Sequence, residues 1–292
     1  MKWTGVTTLK MLGVVVLAIS LISVWPGCKG SSTSGAGSAA AASHAVPVAV
    51  EAARVGGFSA AMHNPIIDPF WRDTTWYTLG SPSPYAPPSA ATRVAVAYSR
   101  TSLYVAFVCT GPPPWFNPAA ARSDLWKYDC SEIWLDSSRL QNGTNFYEIA
   151  IAPDGRVNEV WHRAAVPPKP TRAGGINLAQ PFSLIPWRDR TLKVKTYHGI
   201  WRRQPAWELV VRVPLARMPR PLRLLPRAGR RLRLNLIRYQ WQPRRHGPRR
   251  LVQYSLFSVP PEAQAFAPYR MGRLVLAGSS TGNLALAKPP AN

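Results

Sequence analysis

The chain has 292 residues, is 46% hydrophobic, and sets 36 Lys and Arg against 13 Asp and Glu for a net charge of +23. That apolar content supports a packed core and excludes a largely disordered protein, while 30 prolines and a charged fraction of 17% argue against a helical bundle. Arginine gathers at Arg202-Arg203, from Arg217 to Arg233 and from Arg244 to Arg250. A polyanion partner is one reading of those clusters, and an arginine-rich solvated surface is the other. They follow no nucleic-acid motif, so no specific nucleic-acid partner is expected.

The amino terminus reads as an export signal. Lys2 and Lys10 precede an apolar run, Met11 to Val24, that falls short of the roughly 20 residues a membrane span needs. Gly27-Cys28 follows at once, so residues 1–28 read as a lipoprotein-type signal with Cys28 as the lipidated residue. An ordinary secretory signal or an uncleaved anchor are the other readings. All place the mature chain outside the cytoplasm, either lipid-anchored in the cell envelope (periplasm or outer surface) or secreted. Residues 29–47 are mostly Ser, Gly and Ala and form a tether without apolar surface to bury. Residues 48–278 form the folded domain, and 279–292 a frayed tail.

Within the domain, period-two alternation predicts strands. Arg93 to Tyr98 and Leu103 to Cys109 form a hairpin around Ser99–Ser102. Cys130 to Asp136 is the next strand, then Asn145 to Ala152, then Arg156 to His162 after the turn Pro153-Asp154-Gly155. Residues 163–189 are rich in Pro and Gly and read as irregular. Thr191 to Tyr197 pairs with Ala206 to Val213 through a turn at His198-Gly199. Arg230 to Tyr239, Val252 to Phe257 and Arg273 to Leu276 complete the set. About ten short strands without helical periodicity predict a single all-β, antiparallel sandwich.

Cys109 and Cys130 end and begin two strands expected to be neighbours. Antiparallel pairing of those strands would permit a disulfide in an exported protein; two buried free thiols are the alternative.

Catalytic patterns are sparse. No nucleophile elbow or phosphate-binding Gly-rich loop occurs, and the five histidines lack metal-ligand spacing. Asp129 and Glu132 are the nearest pair of carboxylates, but three residues apart on a strand they face opposite ways, which is poor geometry for flanking one glycosidic bond. The expectation is no enzyme activity, with these acids fastening a turn or pairing with a core arginine such as Arg238. Aromatics are the richer signal, with 12 Trp, 10 Tyr and 8 Phe. Most are expected in packing roles; a few at loop tips make flat surfaces suited to stacking.

The blocks Phe70-Trp71, Val94 to Tyr98, Leu103 to Phe107, Leu125 to Asp136, Tyr147 to Gly155, Trp207 to Leu209 before Val213-Pro214-Leu215, Leu234 to Arg238 and Pro268 to Leu274 occur in an order that resembles the family 9 carbohydrate-binding modules. The resemblance spans roughly residues 48–277. It implies a β-sandwich that binds sugar without catalysis and often accompanies a glycoside hydrolase. Family members clamp a terminal sugar between two Trp rings, and Trp126 falls on the first clamp position. The second position precedes Pro268, where this chain has no Trp and Phe266 is the candidate substitute. Asp129 joins Trp126 and Phe266 as a candidate contact. Calcium is implied by the resemblance, with no ligands assigned. An acidic or sulfated glycan is the ligand class the arginines favour. The alternatives are a polyanion-binding or structural envelope lipoprotein with a degenerate sugar site, and an accessory or catalytic component of a glycoside hydrolase.

Overall fold

Strands that alternate inward apolar with outward polar residues bury one face each, and two such sheets bury those faces against each other. A computed structural model of the protein describes residues 49–55, 60–81, 91–138, 145–163, 183–257 and 271–278. Among them the strands are β1 (Ala49–Arg54), β2 (Trp76–Thr78), β3 (Thr92–Tyr98), β4 (Leu103–Thr110), β5 (Cys130–Asp136), β6 (Asn145–Ile151) and β7 (Val157–Arg163). They continue with β8 (Ser183–Pro186), β9 (Lys193–Trp201), β10 (Gln204–Val213), β11 (Arg231–Gln242), β12 (Arg250–Ser255) and β13 (Gly272–Leu276).

The strand order is β8-β7-β6-β5-β11-β13-β1-β3-β4-β10-β9, with β12 beside β11 and β2 beside β3. The path divides at β1. Its first residues pair with β13 and its last two with β3, so one strand serves both sheets. The first sheet runs from β8 to β13 and the second from β3 to β9. The all-β sandwich expected from alternation is therefore present. Both pairings of β1 are parallel, and the other ladders are antiparallel.

The core lies between the sheets. Ile133, Leu135, Ile149, Leu234 and Leu236 from the first meet Val94, Val96, Val105, Phe107, Leu209 and Val211 from the second. Arg238 also points inward and is fully buried. Its Nη1 donates to Thr92 Oγ1 and to the Thr110 carbonyl, both at 3.0 Å, and its guanidinium lies over the Trp207 and Tyr254 rings. It thus ties β11 to β3 and β4 across the interior.

Two local expectations are corrected. The turn between β9 and β10 is at Arg202-Arg203, both with positive φ, while His198 and Gly199 lie inside β9. Gly199 serves close approach: a Cβ there would meet Glu208 Oε1 at 2.8 Å. The stretch read as irregular contributes β8 as an edge strand beside β7.

Cys109 and Cys130 are free, buried thiols, so no disulfide joins them. The expected pairing fails because β4 and β5 belong to different sheets. Cys109 faces the core, with its Sγ 3.9 Å from Ser131 Oγ. Ser131 is the inward neighbour of Cys130, so alternation turns Cys130 to the opposite face.

Candidate functional site

The outer face of the first sheet carries the polar residues that the core does not use. From β5 it takes Cys130, Glu132 and Trp134; from β6, Phe146, Glu148 and Ala150; from β7, His162; from β11, Ile237 and Tyr239. Register alone brings them together. Glu132 stands opposite Ile237 and Ala150, and Phe146 opposite His162.

Glu132 accepts a hydrogen bond from Trp134 Nε1 at 3.0 Å. Burial pushes its carboxyl well above the ordinary range, the neighbouring Glu148 adds to the shift, and hydrogen bonds from Trp134 and Tyr239 oppose it. Burial likewise raises the Tyr239 hydroxyl, and Glu132 is the largest charged contributor. Glu148 Oε2 lies 2.7 Å from His162 Nε2, and the His162 ring stacks on Phe146 with centroids 4.2 Å apart. Glu132 and Arg238 face opposite sides of the sheet, so that expected pairing does not form.

Trp126 sits at one end of this face. A short 3-10 helix, Arg122–Lys127, precedes β5. Leu125 buries itself against Ala150 and Ala152, which leaves the next side chain pointing away. Trp126 is accordingly 53% exposed, and every other Trp, Tyr and Phe side chain among the described residues is buried or half-buried. Its backbone is held: the Trp126 carbonyl accepts from Trp241 Nε1 at 3.4 Å. Lys127 Nζ lies 5.6 Å from the indole centroid and pairs with Asp124 at 3.0 Å.

Asp129 supports this arrangement from below. It is buried, and its two oxygens accept from the backbone amides of Trp115 at 3.0 Å and Trp241 at 2.6 Å. Burial raises its pKa, and the two amide bonds oppose that rise. It fastens the loop before β5 to the end of β11, as a turn-holding acid would. Above it, Trp115 packs against Tyr128 and Trp241, and the Arg249 guanidinium stacks on Trp115 at 4.6 Å.

Phe266 and Cys28 lie outside the described residues. The segment 258–270 leads into Met271, which packs with Cys130, Trp134 and Tyr239 on this same outer face. Among the described residues no three His, Cys, Asp or Glu groups converge on a metal position, so no ligand set is assigned to the calcium implied by the resemblance. Sequence reasoning missed Glu148, His162 and Tyr239 as neighbours of Glu132. Alternation within each strand places all four outward, but only the register shows that they meet.

No protein-family model matches the chain. No curated protein matches it in sequence. Solved structures do share its fold. One is a "putative carbohydrate-binding protein" from Bacteroides uniformis, 12% identical, with a TM-score of 0.52, covering 78% of this chain and 98% of its own. Two others are structures of a family 9 carbohydrate-binding module from Caldicellulosiruptor kristjanssonii. The cellotriose complex is 13% identical with a TM-score of 0.49, covering 84% of this chain and 99% of its own. The glucose complex is 13% identical with a TM-score of 0.47, covering 81% and 99%. At this identity the likeness to the Bacteroides uniformis protein is one of fold, a shared β-sandwich.

Proposed function

We propose that the protein binds carbohydrate without catalysis, on the outer face of the first sheet, with the Trp126 indole as its stacking surface. The observation that carries this reading is the exposure of Trp126 on a backbone fixed by Trp241 and Asp129. A pyranose has an apolar face, and a rigid indole covers it with little loss of conformational freedom. The shared fold with a protein described as carbohydrate-binding supports the same direction. Phe266 supplies the second ring, and Asp129 acts as a positioning residue beneath the first. The acidic residues of this face are engaged with Trp134, Tyr239 and His162. Glu132, Trp134, Tyr239 and His162 are buried, so that arrangement stiffens the sheet beneath the site.

A glycan array probed with the whole protein, followed by titration of the best ligand, tests the site. Trp126→Ala should weaken binding about 10- to 100-fold, roughly 1.4–3 kcal/mol, while Trp126→Phe keeps most of it. Unchanged affinity in Trp126→Ala would remove the indole from the site.

The protein is further proposed to be exported and held in the cell envelope by a lipid on Cys28, where it retains polysaccharide for a separate glycoside hydrolase. Metabolic labelling with an alkyne-bearing fatty acid should mark the wild type and not Cys28→Ala. Equal labelling of both would refute the anchor.

A further inference from the structure

At the far end of β5 and β6 from Trp126 lies a groove of about 810 Å³. Its walls include Arg220, Arg223, Arg227 and Arg230, with Leu225 and Asn145. The four arginines come from one short stretch of chain leading into β11. None of them forms an ion pair with an acid among the described residues. The nearby Asp136 is engaged by Ser138, whose amide and hydroxyl donate to Asp136 Oδ1 at 2.9 and 2.6 Å. Arg223 is oriented by its Nε bond to the Met218 carbonyl at 3.3 Å.

We propose that this groove is a second site, distinct from the Trp126 face, that binds the carboxylate or sulfate groups of an anionic polysaccharide. Guanidinium groups present paired donors that match planar carboxylate and sulfate oxygens, and unpaired arginines keep those donors for a ligand. Three features of the groove favour a polysaccharide over other polyanions. Among the described residues no aromatic side chain lines the groove, so they give nucleic-acid bases no stacking platform there. It is concave, so a flat bilayer surface reaches its rim and not its walls. Leu225, 66% exposed, offers apolar surface for the C–H faces of sugar rings. The two sites are separated by the seven residues of β5, roughly 20 Å, so one extended chain of several sugars can touch both.

The protein's net charge of +23 will attract any polyanion, so the test needs a charge-matched control. The whole protein would be titrated with a heparin-derived hexasaccharide, an oligogalacturonate and phosphatidylglycerol vesicles at several salt concentrations. The variants are Arg220→Gln/Arg223→Gln/Arg227→Gln and the control Arg100→Gln/Arg188→Gln/Arg190→Gln, with urea midpoints confirming that both fold. If the triple variant is misfolded, the three single variants replace it. The groove variant should bind at least one of the two oligosaccharides 10- to 100-fold more weakly and lose about two or three from the slope of log affinity against log salt. The control should stay within threefold of wild type. Equal losses in groove variant and control would reduce the effect to net charge and overturn the proposal. Arginine-dependent binding to vesicles with neither oligosaccharide bound would overturn it in favour of a membrane.

Discussion

Two tryptophans on opposite outer faces of this sandwich, Trp71 and Trp126, are treated in opposite ways. On the second sheet, residues 60–76 fold back as a cover. Trp71 is completely buried there, donating from Nε1 to the Ala61 carbonyl at 3.2 Å and packing edge-on to Phe70. Trp76 Nε1 donates to the Trp71 carbonyl at 2.6 Å, and Tyr197 Oη to the Met62 carbonyl at 2.8 Å. The cover is anchored by Asp68, which caps the short helix Pro69–Arg72 through the Phe70 amide. On the first sheet, Leu125 takes the buried position and Trp126 is left outside. An indole becomes a plug or a platform according to which neighbour claims the sheet beneath it.

The strongest way to break that contrast is to remove the plug. Trp71→Ala should cost about 3–5 kcal/mol, the usual range for deleting a fully buried large aromatic. Urea unfolding followed by circular dichroism would show it as a large fall in midpoint. A loss below about 1 kcal/mol would mean that the cover is not held by Trp71.

The next effect concerns the acid under that cover. Glu208 is fully buried, and neither carboxyl oxygen makes a full hydrogen bond among the described residues. Burial pushes its pKa up to about 7; the Ile66 amide, already given to Asn64, opposes this weakly. Since the folded pKa lies above the ordinary 4.5, folding favours the protonated acid. The penalty is absent below about pH 4.5 and grows as pH rises to 7, reaching at most about 3 kcal/mol. Glu208→Gln should therefore flatten stability between pH 5 and 8, measured by urea midpoints. The raised Glu132 leaves a residual slope of the same sign on the other face. A wild type more stable at pH 8 than at pH 5 would contradict both assignments.

Much of the sandwich was legible in the sequence because alternation is a local signal. The strand expected from Cys130 to Asp136 matches β5, and the turn at Asp154-Gly155 stands where φ of Gly155 is +84°. What failed was pairing. Cys109 and Cys130 fit a disulfide only if β4 and β5 were neighbours, and the order of strands within sheets is a long-range property. Gly199 looked like a turn because the carboxyl it makes room for belongs to another strand. The Glu132, Glu148 and His162 cluster was hidden for the same reason.

The cysteines offer a smaller test of the two-sheet division. Burial raises Cys109 to about 11 and pushes Cys130 well above the ordinary thiol value, so neither supplies thiolate at pH 8. Iodoacetamide should leave both unmodified in the native protein and alkylate both after unfolding. A reducing agent should not move the urea midpoint. A midpoint that falls on reduction would require a disulfide and would place β4 and β5 side by side.

Trp126→Ala should give the smallest change in stability of all, within about 0.5 kcal/mol, because exposed side chains contribute little to folding. That near-silence is what separates the two faces. A residue that holds the fold loses stability when truncated, whereas one kept for a ligand loses affinity alone. Lys127 and Asp124 already form an exposed ion pair beside the ring, and such pairs contribute little. A fall of 2 kcal/mol or more in Trp126→Ala would mean that the indole is packed in solution, and the two faces would then differ only in how their tryptophans are covered.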